Sequence, residues 1–370
     1  MGVLDMLRGR GVPNGDEGPL RSVMGAWQRE ISSGTPGIGR LLLRTMQGSR
    51  ISMIISLGYQ IFLLSNIAFS GSLENAKTPF RLFSGAYSTQ AAQFIFFLHR
   101  HHAEEALRIT RCVAEDLEKT ADEETKVRLR RAARLIRIIK IFFLIHMLNA
   151  TFSVCMTPLS MGFDSWLIAA KVVFMCIGMV VCCWAYYTLL PLMLCVHLAC
   201  CALYREVGQR LQAHIGLAEV SRCARLHSSL KEAERHMDSL VGMYFPHYLL
   251  VAILLPLLSI AEVLTSDVQA DMYALSTVPI VFIIIVPQCL VGQYLEDCSG
   301  AVPQSCYFGP WLEEDRESRR GRLLVMKLGA RPDFVRVQGM GRLNRAACAS
   351  ILRSWCGYLQ VVVRFSNNSQ

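Results

Sequence analysis

Long blocks of apolar residues, separated by polar and charged stretches, run through most of the sequence. A helix that crosses a bilayer needs about 20 mainly apolar residues, and five blocks approach or exceed that length. These blocks are Ile51–Phe69, Arg137–Leu159, Trp166–Leu203, Leu240–Leu264 and Tyr273–Tyr294. The pattern predicts an all-α, polytopic membrane protein.

The third block, Trp166–Leu203, is too long for one bilayer. Tyr204–Leu211 keeps the helical periodicity and adds charges, so the helix is expected to continue into water. Pro191 offers a break that would instead divide the block into two short spans. We favour one helix, because no polar turn-forming stretch separates the halves.

Two weaker segments decide the number of crossings. Leu82–His99 contains six residues that lipid alone would not favour, namely Ser84, Gly85, Ser88, Thr89, Gln90 and Gln93. Leu343–Phe365 is apolar but carries three arginines, Arg345, Arg353 and Arg364. When both are counted, the chain is predicted to cross the membrane seven times.

The distribution of basic residues predicts the orientation. Segments 1–50, 100–140, 204–240 and 293–342 contain 7, 11, 6 and 8 Lys and Arg residues, 32 of the 38 in the chain. Positive residues gather on the cytoplasmic side. The N-terminus is therefore expected inside and the C-terminus outside, which is opposite to a G-protein-coupled receptor. A miscounted weak span would instead give six crossings and both ends inside.

Composition excludes several other classes of protein. Hydrophobic residues make up 52% of the chain and charged residues 18%, against about 25% charged in a soluble protein. Six of the 14 cysteines lie in one apolar block, and no paired C-x-x-C motif has metal spacing. No metal or cofactor is expected, and the net charge of +9 is attributed to membrane orientation rather than to nucleic-acid binding.

An integral membrane enzyme would need paired carboxylates, a histidine cluster or a nucleophile and base at one depth. Acidic residues are nearly absent from the predicted spans, with Glu262 at one end. His99, His101 and His102 lie at the cytoplasmic edge without the i, i+4 spacing of a helical metal site. We therefore expect no enzyme activity. A secondary transporter is also disfavoured, since no internal repeat is visible.

The predicted organisation has four parts. Residues 1–50 form a cytoplasmic segment without a cleavable signal, and residues 51–295 form six spans with helical cytoplasmic extensions at 100–135 and 204–240. Residues 296–342 form a cytoplasmic anchor segment, and residues 343–370 form the last helix and an extracellular tail.

The last span is amphipathic. At about 100° per residue, five residues share one face: Ala346, Arg353, Gly357, Gln360 and Arg364. Arginine facing lipid at mid-membrane costs from about 3 to above 10 kcal/mol, so this face should meet water or protein. The helix either lines an aqueous pore or lies on the membrane surface with its arginines reaching the headgroups.

The C-terminal hundred residues resemble the signature of insect odorant receptors. The resemblance rests on Tyr307, Trp311, Arg319, Arg320, Leu323, Leu324, Met326, Arg331, Pro332, Gly339, Leu343, Ile351, Leu352, Ser354 and Tyr358 in this order. The aromatic cluster of that family is reduced here to Ser-Trp-Cys-Gly-Tyr at 354–358. The polar and aromatic ending of the related gustatory receptors is missing, although a homomeric gustatory-type channel stays an alternative.

The resemblance implies a tetrameric, ligand-gated, non-selective cation channel in the plasma membrane of a sensory dendrite. The last span would line the pore, and the cytoplasmic helices would anchor the subunits to one another. The co-receptor of the family has a long insertion between the fourth and fifth spans, whereas this chain has only the short connection Tyr204–Ser239. The chain thus resembles an odorant-tuning subunit that assembles with a co-receptor.

The resemblance places the pore constriction at Val361 and Phe365, with Arg364 where a neutral polar residue is typical. Helical geometry centres the polar face near Gly357 and Gln360, about 70–110° away from those two side chains. Arg364 lies between the two positions. We therefore expect a broad pore-facing stripe that includes Gln360, Val361, Arg364 and Phe365.

The resemblance also implies that a small volatile binds among spans two, three, four and six, in the outer half of the membrane. The candidate contacts are Tyr87, Ala91, Asn149, Phe152, Ser153, Met156, Phe174, Met175, Tyr273 and Ser276. Aromatic walls with a few hydrogen-bonding groups suit a small, mostly apolar ligand. Each of these residues is alternatively an ordinary helix-packing side chain.

Overall fold

The computed structural model describes residues 18–31, 50–71, 73–159, 166–213, 215–265, 277 and 279–368. Helices dominate these residues: α1 Pro19–Ile31, α2 Arg50–Ala68, α3 Leu73–Lys119, α4 Glu123–Leu159, α5 Trp166–Gln212, α6 Leu217–Thr265, α7 Ile280–Tyr307, α8 Arg316–Gly329 and α9 Arg345–Asn368. One small hairpin, β1 Arg336–Val337 and β2 Gly341–Arg342, lies between α8 and α9. The predicted all-α class is confirmed.

Five of the described helices contain stretches that are long and apolar enough to cross a membrane, in α4, α5, α6, α7 and α9. The helix α2 holds a shorter apolar stretch, Ser52–Ala68. Together with the first part of α3, which is less apolar as expected, these helices account for the seven predicted crossings. The structure confirms that Trp166–Gln212 is one helix, with Pro191 inside it.

The helix α5 is the centre of the bundle. In its segment Leu189–Gln212, 83% of the most apolar stretch is buried, against 22% in Glu123–Ser153 of α4 and 11% in Arg345–Arg364 of α9. It packs against α3, α4, α6 and α7. Its cysteines Cys195, Cys200 and Cys201 are fully buried, consistent with cysteine acting as a small hydrophobic residue.

The long helix α3 changes direction at His99, whose backbone angles (φ −113°, ψ 18°) are not helical. The kink divides a membrane part from a charged part that ends at Lys119. A short turn then leads into α4, which begins at Glu123, so the segment 100–135 contains the end of α3 and the start of α4. Along its length α3 packs most closely on α6.

The N-terminal helix α1 lies across the charged parts of α3 and α4. Leu20, Met24 and Trp27 are buried in this contact. The Glu118 carboxylate of α3 accepts the Leu20 amide hydrogen at 2.8 Å, which satisfies a free N–H at the first turn of α1. Burial raises the pKa of Glu118.

The hairpin before α9 is held by hydrogen bonds to its neighbours. The Arg336 amide donates to the Asp238 carboxylate of α6 at 2.6 Å, and the Leu343 amide donates to the Val335 carbonyl at 2.9 Å. Gly339 and Gly341 have φ angles of 82° and 85°, a region that favours glycine. The chain therefore enters α9 from a defined position beside α6.

Candidate pore helix and ligand-contact residues

The start of α9 is fixed by capping and by close packing. Asn344 caps the helix, since its side-chain oxygen accepts the Ala347 amide hydrogen at 2.9 Å. Immediately before it, the Leu343 carbonyl lies against Gly292 of α7 so closely that a β-carbon at position 292 would collide with it. The start of α9 thus packs directly on the backbone of α7.

One face of α9 packs against α6 and α7. Cys348 and Trp355 are buried on this face, and Ile351, Leu352 and Leu359 pack against the core. The ring of Trp355 meets the ring of Phe282 of α7 edge-on, with 6.1 Å between centroids. Trp355 is therefore the main anchor of α9 on its own chain.

The opposite face of α9 is uncovered. All five residues of the predicted polar face are exposed, namely Ala346, Arg353, Gly357, Gln360 and Arg364. No carboxylate among the described residues forms an ion pair with Arg353 or Arg364. Two unpaired arginines on an exposed face indicate that this face does not meet lipid.

The predicted constriction residues lie on or next to the same face. Gln360, Val361 and Arg364 are exposed, and Val361 is 49% exposed although it is apolar. The side chain of Phe365 lies outside the described residues. The described residues of this chain leave the side chains of Gln360, Val361 and Arg364 uncovered, so lipid, water or protein outside the described residues surrounds them.

The predicted ligand contacts on α3 lie where α3 meets α6. The ring of Tyr87 contacts the ring of His247 of α6, with 6.0 Å between centroids. The neighbouring Ser88 hydroxyl donates to the His247 carbonyl at 3.1 Å. Ala91, one turn further along, is half-buried.

The predicted contacts on α4 and α5 lie in other places. On α4, Asn149 and Phe152 are exposed while Ser153 is buried. On α5, Phe174 packs against the ring of Phe62 of α2 at 5.6 Å, and Met175 belongs to the same α2–α3–α5 cluster. Tyr87 thus contacts α6, whereas Phe174 contacts α2.

The structure does not describe the side chains of three of the predicted ligand contacts. The side chain of Met156, and all of Tyr273 and Ser276, lie outside the described residues. Thr277, which follows Ser276, donates its hydroxyl hydrogen to Ser259 of α6 at 2.7 Å.

A polar cluster between α2, α3 and α5 was not predicted. The Ser56 hydroxyl donates to the Gln93 side-chain oxygen at 2.9 Å, and the Gln93 amide donates to the Val181 carbonyl at 3.4 Å. All three residues are buried. The cluster explains why the weak second span tolerates polar residues, since they bond to neighbouring helices instead of facing lipid. The sequence contained one signal for this cluster, because Thr89 and Gln93 are spaced i, i+4 and therefore lie on the same face of α3.

The charged ends of the helices form what we call the basic half: residues 99–136, 197–240 and 295–344, together with α1. Asp333 is its central acceptor. Its carboxylate accepts hydrogen bonds from the Tyr204 hydroxyl at 2.5 Å and from the Lys231 ammonium at 3.0 Å, and its amide donates to the Ser299 hydroxyl at 2.9 Å. Burial raises the pKa of Tyr204 well above its ordinary value, so the phenol stays a donor.

A second buried pair joins α8 to the turn between α5 and α6. Arg322 is fully buried, and its guanidinium pairs with the Glu314 carboxylate. It also donates to the backbone carbonyls of Leu211 and Ala213. The guanidinium thereby makes four hydrogen bonds, which allows the arginine to be buried.

Histidines are buried in the same half. His197 of α5 contacts the Glu234 carboxylate of α6 at 2.9 Å. His227 is fully buried beside the ring of Tyr204, and neither ring nitrogen has a hydrogen-bond partner among the described residues. Burial lowers the pKa of His227 to about 4. Its imidazole is therefore neutral at neutral pH.

Sequence and structure comparisons agree with this architecture. The chain matches the family described as 7tm Odorant receptor over residues 82–356. Its fold is similar to the insect olfactory receptor OR5 from Machilis hrabei, with a TM-score of 0.75 at 10% identity, covering 98% of this chain and 100% of that one. The structure of the same receptor in complex with eugenol gives a TM-score of 0.75 at 9% identity, with the same coverage. No curated protein matches the sequence.

Proposed function

The chain belongs to the 7tm odorant receptor family, and from this premise we propose that it is the odorant-binding subunit of a ligand-gated, non-selective cation channel. Members of this family are membrane receptors rather than enzymes. The observation that carries the proposal is the uncovered polar face of α9, with Arg353 and Arg364 exposed. A span of this kind is stable in a bilayer only if its polar face meets water or protein.

A central pore satisfies this requirement. When several copies of α9 surround one axis, their polar faces border water and their apolar faces, anchored by Trp355, stay on α6 and α7. Symmetric assembly around an axis is the usual arrangement of membrane channels. We therefore infer that Gln360, Val361, Arg364 and Phe365 border the narrow outer part of this pore.

The charge of Arg364 favours a heteromer. Four arginines about 10 Å apart around a narrow mouth would repel by roughly 1–2 kcal/mol per neighbouring pair at an effective dielectric near 20. They would also oppose the entry of cations. A co-receptor with neutral residues at this position would dilute the charge, so we propose a tetramer of this chain and a co-receptor subunit, in the plasma membrane of a sensory dendrite.

The ligand is proposed to be a small volatile. A compound of about ten heavy atoms, at 0.5–0.8 kcal/mol per atom, gains roughly 5–8 kcal/mol, which corresponds to affinities between near-millimolar and micromolar. We propose that it enters the outer bundle near Tyr87 and Phe152. Opening requires tighter binding to the open state than to the closed one, so the pocket must change shape when α9 moves away from the axis.

Whole-cell recording tests the channel. Cells expressing this chain, with and without an odorant co-receptor, are exposed to a panel of volatiles. We expect cation current in response to at least one volatile, only when both subunits are present. Robust current from this chain alone would contradict the heteromer and favour a homomeric gustatory-type channel. Substrate flux without current would contradict the channel itself and indicate a transporter.

Substitutions test the pocket. We expect Phe152→Ala and Tyr273→Ala to shift the concentration–response curve by about tenfold, the loss of roughly 1.4 kcal/mol of contact. Phe142→Ala is the matched control, because Phe142 is also an exposed aromatic residue of α4 (51% exposed, against 64% for Phe152) but lies towards the basic half. Unchanged curves for both test variants would show that the pocket is elsewhere.

A further inference from the structure

Two histidines from different helices meet at the boundary between the membrane part and the basic half. His102 follows the kink of α3, and His236 precedes the membrane part of α6. Their Nδ1 atoms are 3.0 Å apart, and both rings are half-buried. We propose that His102 and His236 together bind a divalent transition-metal ion of the zinc, nickel or copper class through their Nδ1 atoms.

The distance fits two ligands of one metal. Zinc bonds to histidine nitrogen are about 2.0–2.1 Å long, and at a tetrahedral angle two such nitrogens lie about 3.3 Å apart. The observed Nδ1 to Nδ1 separation of 3.0 Å in His102 and His236 is therefore about 0.3 Å too short. A small rotation of either ring supplies this difference without moving the backbone.

The protonation states are compatible with binding. In the empty pair one Nδ1 donates a hydrogen and the other accepts it. Metal binding needs both rings in the tautomer with hydrogen on Nε2, so the shared hydrogen moves to Nε2 of the donor ring and no proton is lost. Both rings would bind the metal as neutral imidazoles.

The surroundings add a negative charge but, among the described residues, no third ligand. The ring centroid of His101 lies 4.0 Å from that of His102, and the ring of His99 is stacked on His102 at 6.0 Å. Glu105 lies one turn along α3 from His102. Arg108 already pairs with Glu105 at 2.8 Å, so this carboxylate offsets charge rather than acting as a ligand.

The number of ligands defines the class of ion. Among the described residues no group of three or more His, Cys, Asp or Glu side chains converges as a metal site, so water must complete the coordination. Two imidazoles select ions that prefer nitrogen, whereas magnesium and calcium prefer oxygen ligands. The site should bind zinc reversibly and more weakly than a structural zinc site with four protein ligands.

A metal at this position would bridge α3 and α6 next to the kink at His99. It would restrain α3 relative to α6 within the basic half. The site is separate from α9 and from the proposed ligand contacts, so the inference does not depend on the proposed function.

Calorimetry on the purified full-length chain, carrying an affinity tag without histidines, tests the proposal with zinc chloride as the probe. We expect one zinc ion per chain, bound reversibly, and no heat from magnesium chloride. His102→Gln and His236→Gln should each weaken zinc binding at least about tenfold. The double variant should bind no more weakly than either single variant, because loss of one ligand already removes the bridge.

His101→Gln is the matched control, since it removes an exposed histidine from the same run. We expect it to leave the zinc affinity within about twofold of the unsubstituted chain. Thermal unfolding without metal confirms that each variant is folded. Equal weakening by His101→Gln and His102→Gln would overturn the assignment to the pair, as would unchanged binding in the double variant.

Discussion

The basic half and the membrane parts of the bundle are held together differently. The basic half is linked by ion pairs. Arg128–Glu206 and Arg222–Asp116 join two helices, and Lys231–Asp333 and Arg322–Glu314 join a helix to a connecting segment. In the membrane parts the described contacts are mainly apolar, with isolated polar bonds such as Ser56 to Gln93. The first region is specified largely by directional bonds, and the second mainly by packing.

The difference is largest between the basic half and α9. Only 11% of the most apolar stretch of α9 is buried in its own chain, and Trp355 is its main anchor. The described residues leave the rest of this stretch uncovered. The basic half is thus held by many contacts within one chain, whereas α9 has few such contacts among the described residues. Four predictions test this contrast, from the largest expected effect to the smallest.

Arg322→Ala should be the most damaging substitution. It leaves the buried Glu314 carboxylate without its partner, and breaking a buried ion pair in this way costs about 3–5 kcal/mol. Chemical unfolding of the detergent-solubilised chain measures the loss. Arg319→Ala, on the exposed face of the same helix, should cost less than about 0.5 kcal/mol. Equal losses would show that the network is not what stabilises this half.

Acid should weaken the basic half through His227. The pKa of His227 falls from 6.5 to about 4 on folding. Above pH 6.5 the ring is neutral in the folded and the unfolded chain. As the pH falls towards 4 the unfolded chain binds the proton first, so the free energy of unfolding decreases. The expected loss is roughly 3 kcal/mol. Unfolding of the native chain and of His227→Leu is compared at pH 7 and pH 4. A native chain that loses no more stability than the variant would contradict the prediction.

Gly292→Ala tests the close contact between the start of α9 and the backbone of α7. The new methyl group would collide with the Leu343 carbonyl, and overpacking of this kind costs about 1–3 kcal/mol. Gly300→Ala is the control on the same helix, because its methyl group would approach only the ring of Pro332, at 3.3 Å. Thermal unfolding should show a clearly lower melting temperature for Gly292→Ala and not for Gly300→Ala. A stable Gly292→Ala chain would mean that α9 is not held at its base.

Gly357→Ala should have the smallest effect. Nothing lies within 4 Å of a β-carbon at this position, and alanine favours a helix over glycine by about 0.5–1 kcal/mol. The melting temperature should rise by about one or two degrees. A lower melting temperature of the assembled receptor would show that a neighbouring subunit packs tightly on this face, contrary to a water-filled pore.

Much of the fold was predictable because membrane helices have a characteristic length and hydrophobicity. A bilayer forces backbone groups to bond within one helix, so length and hydrophobicity suffice to predict α4 to α7. Trp166–Gln212 was predicted correctly as one helix. The kink at His99 was not predictable, because neither proline nor glycine marks it and kinks of this kind depend on tertiary packing.

The candidate site was predictable only in part. The polar face of α9 follows from helical periodicity, and Arg353 and Gln360 are exposed as expected. Periodicity within single helices cannot say which helices touch. It therefore missed the approach of His236 to His102, which are separated by more than a hundred residues. For the same reason it could not predict that Phe174 packs against Phe62 of α2.

The bonds of Asp333 have a practical consequence for anyone exchanging parts between relatives. This one residue joins α5, α6 and α7 just before the hairpin that leads into the last helix. A chimera cut between α8 and Asp333 would take Asp333 from one parent and Tyr204, Lys231 and Ser299 from the other, so all three links would depend on the match between the parents. Cutting ahead of Ser299, and grafting Tyr204 and Lys231 along with the donor's tail, keeps the junction intact.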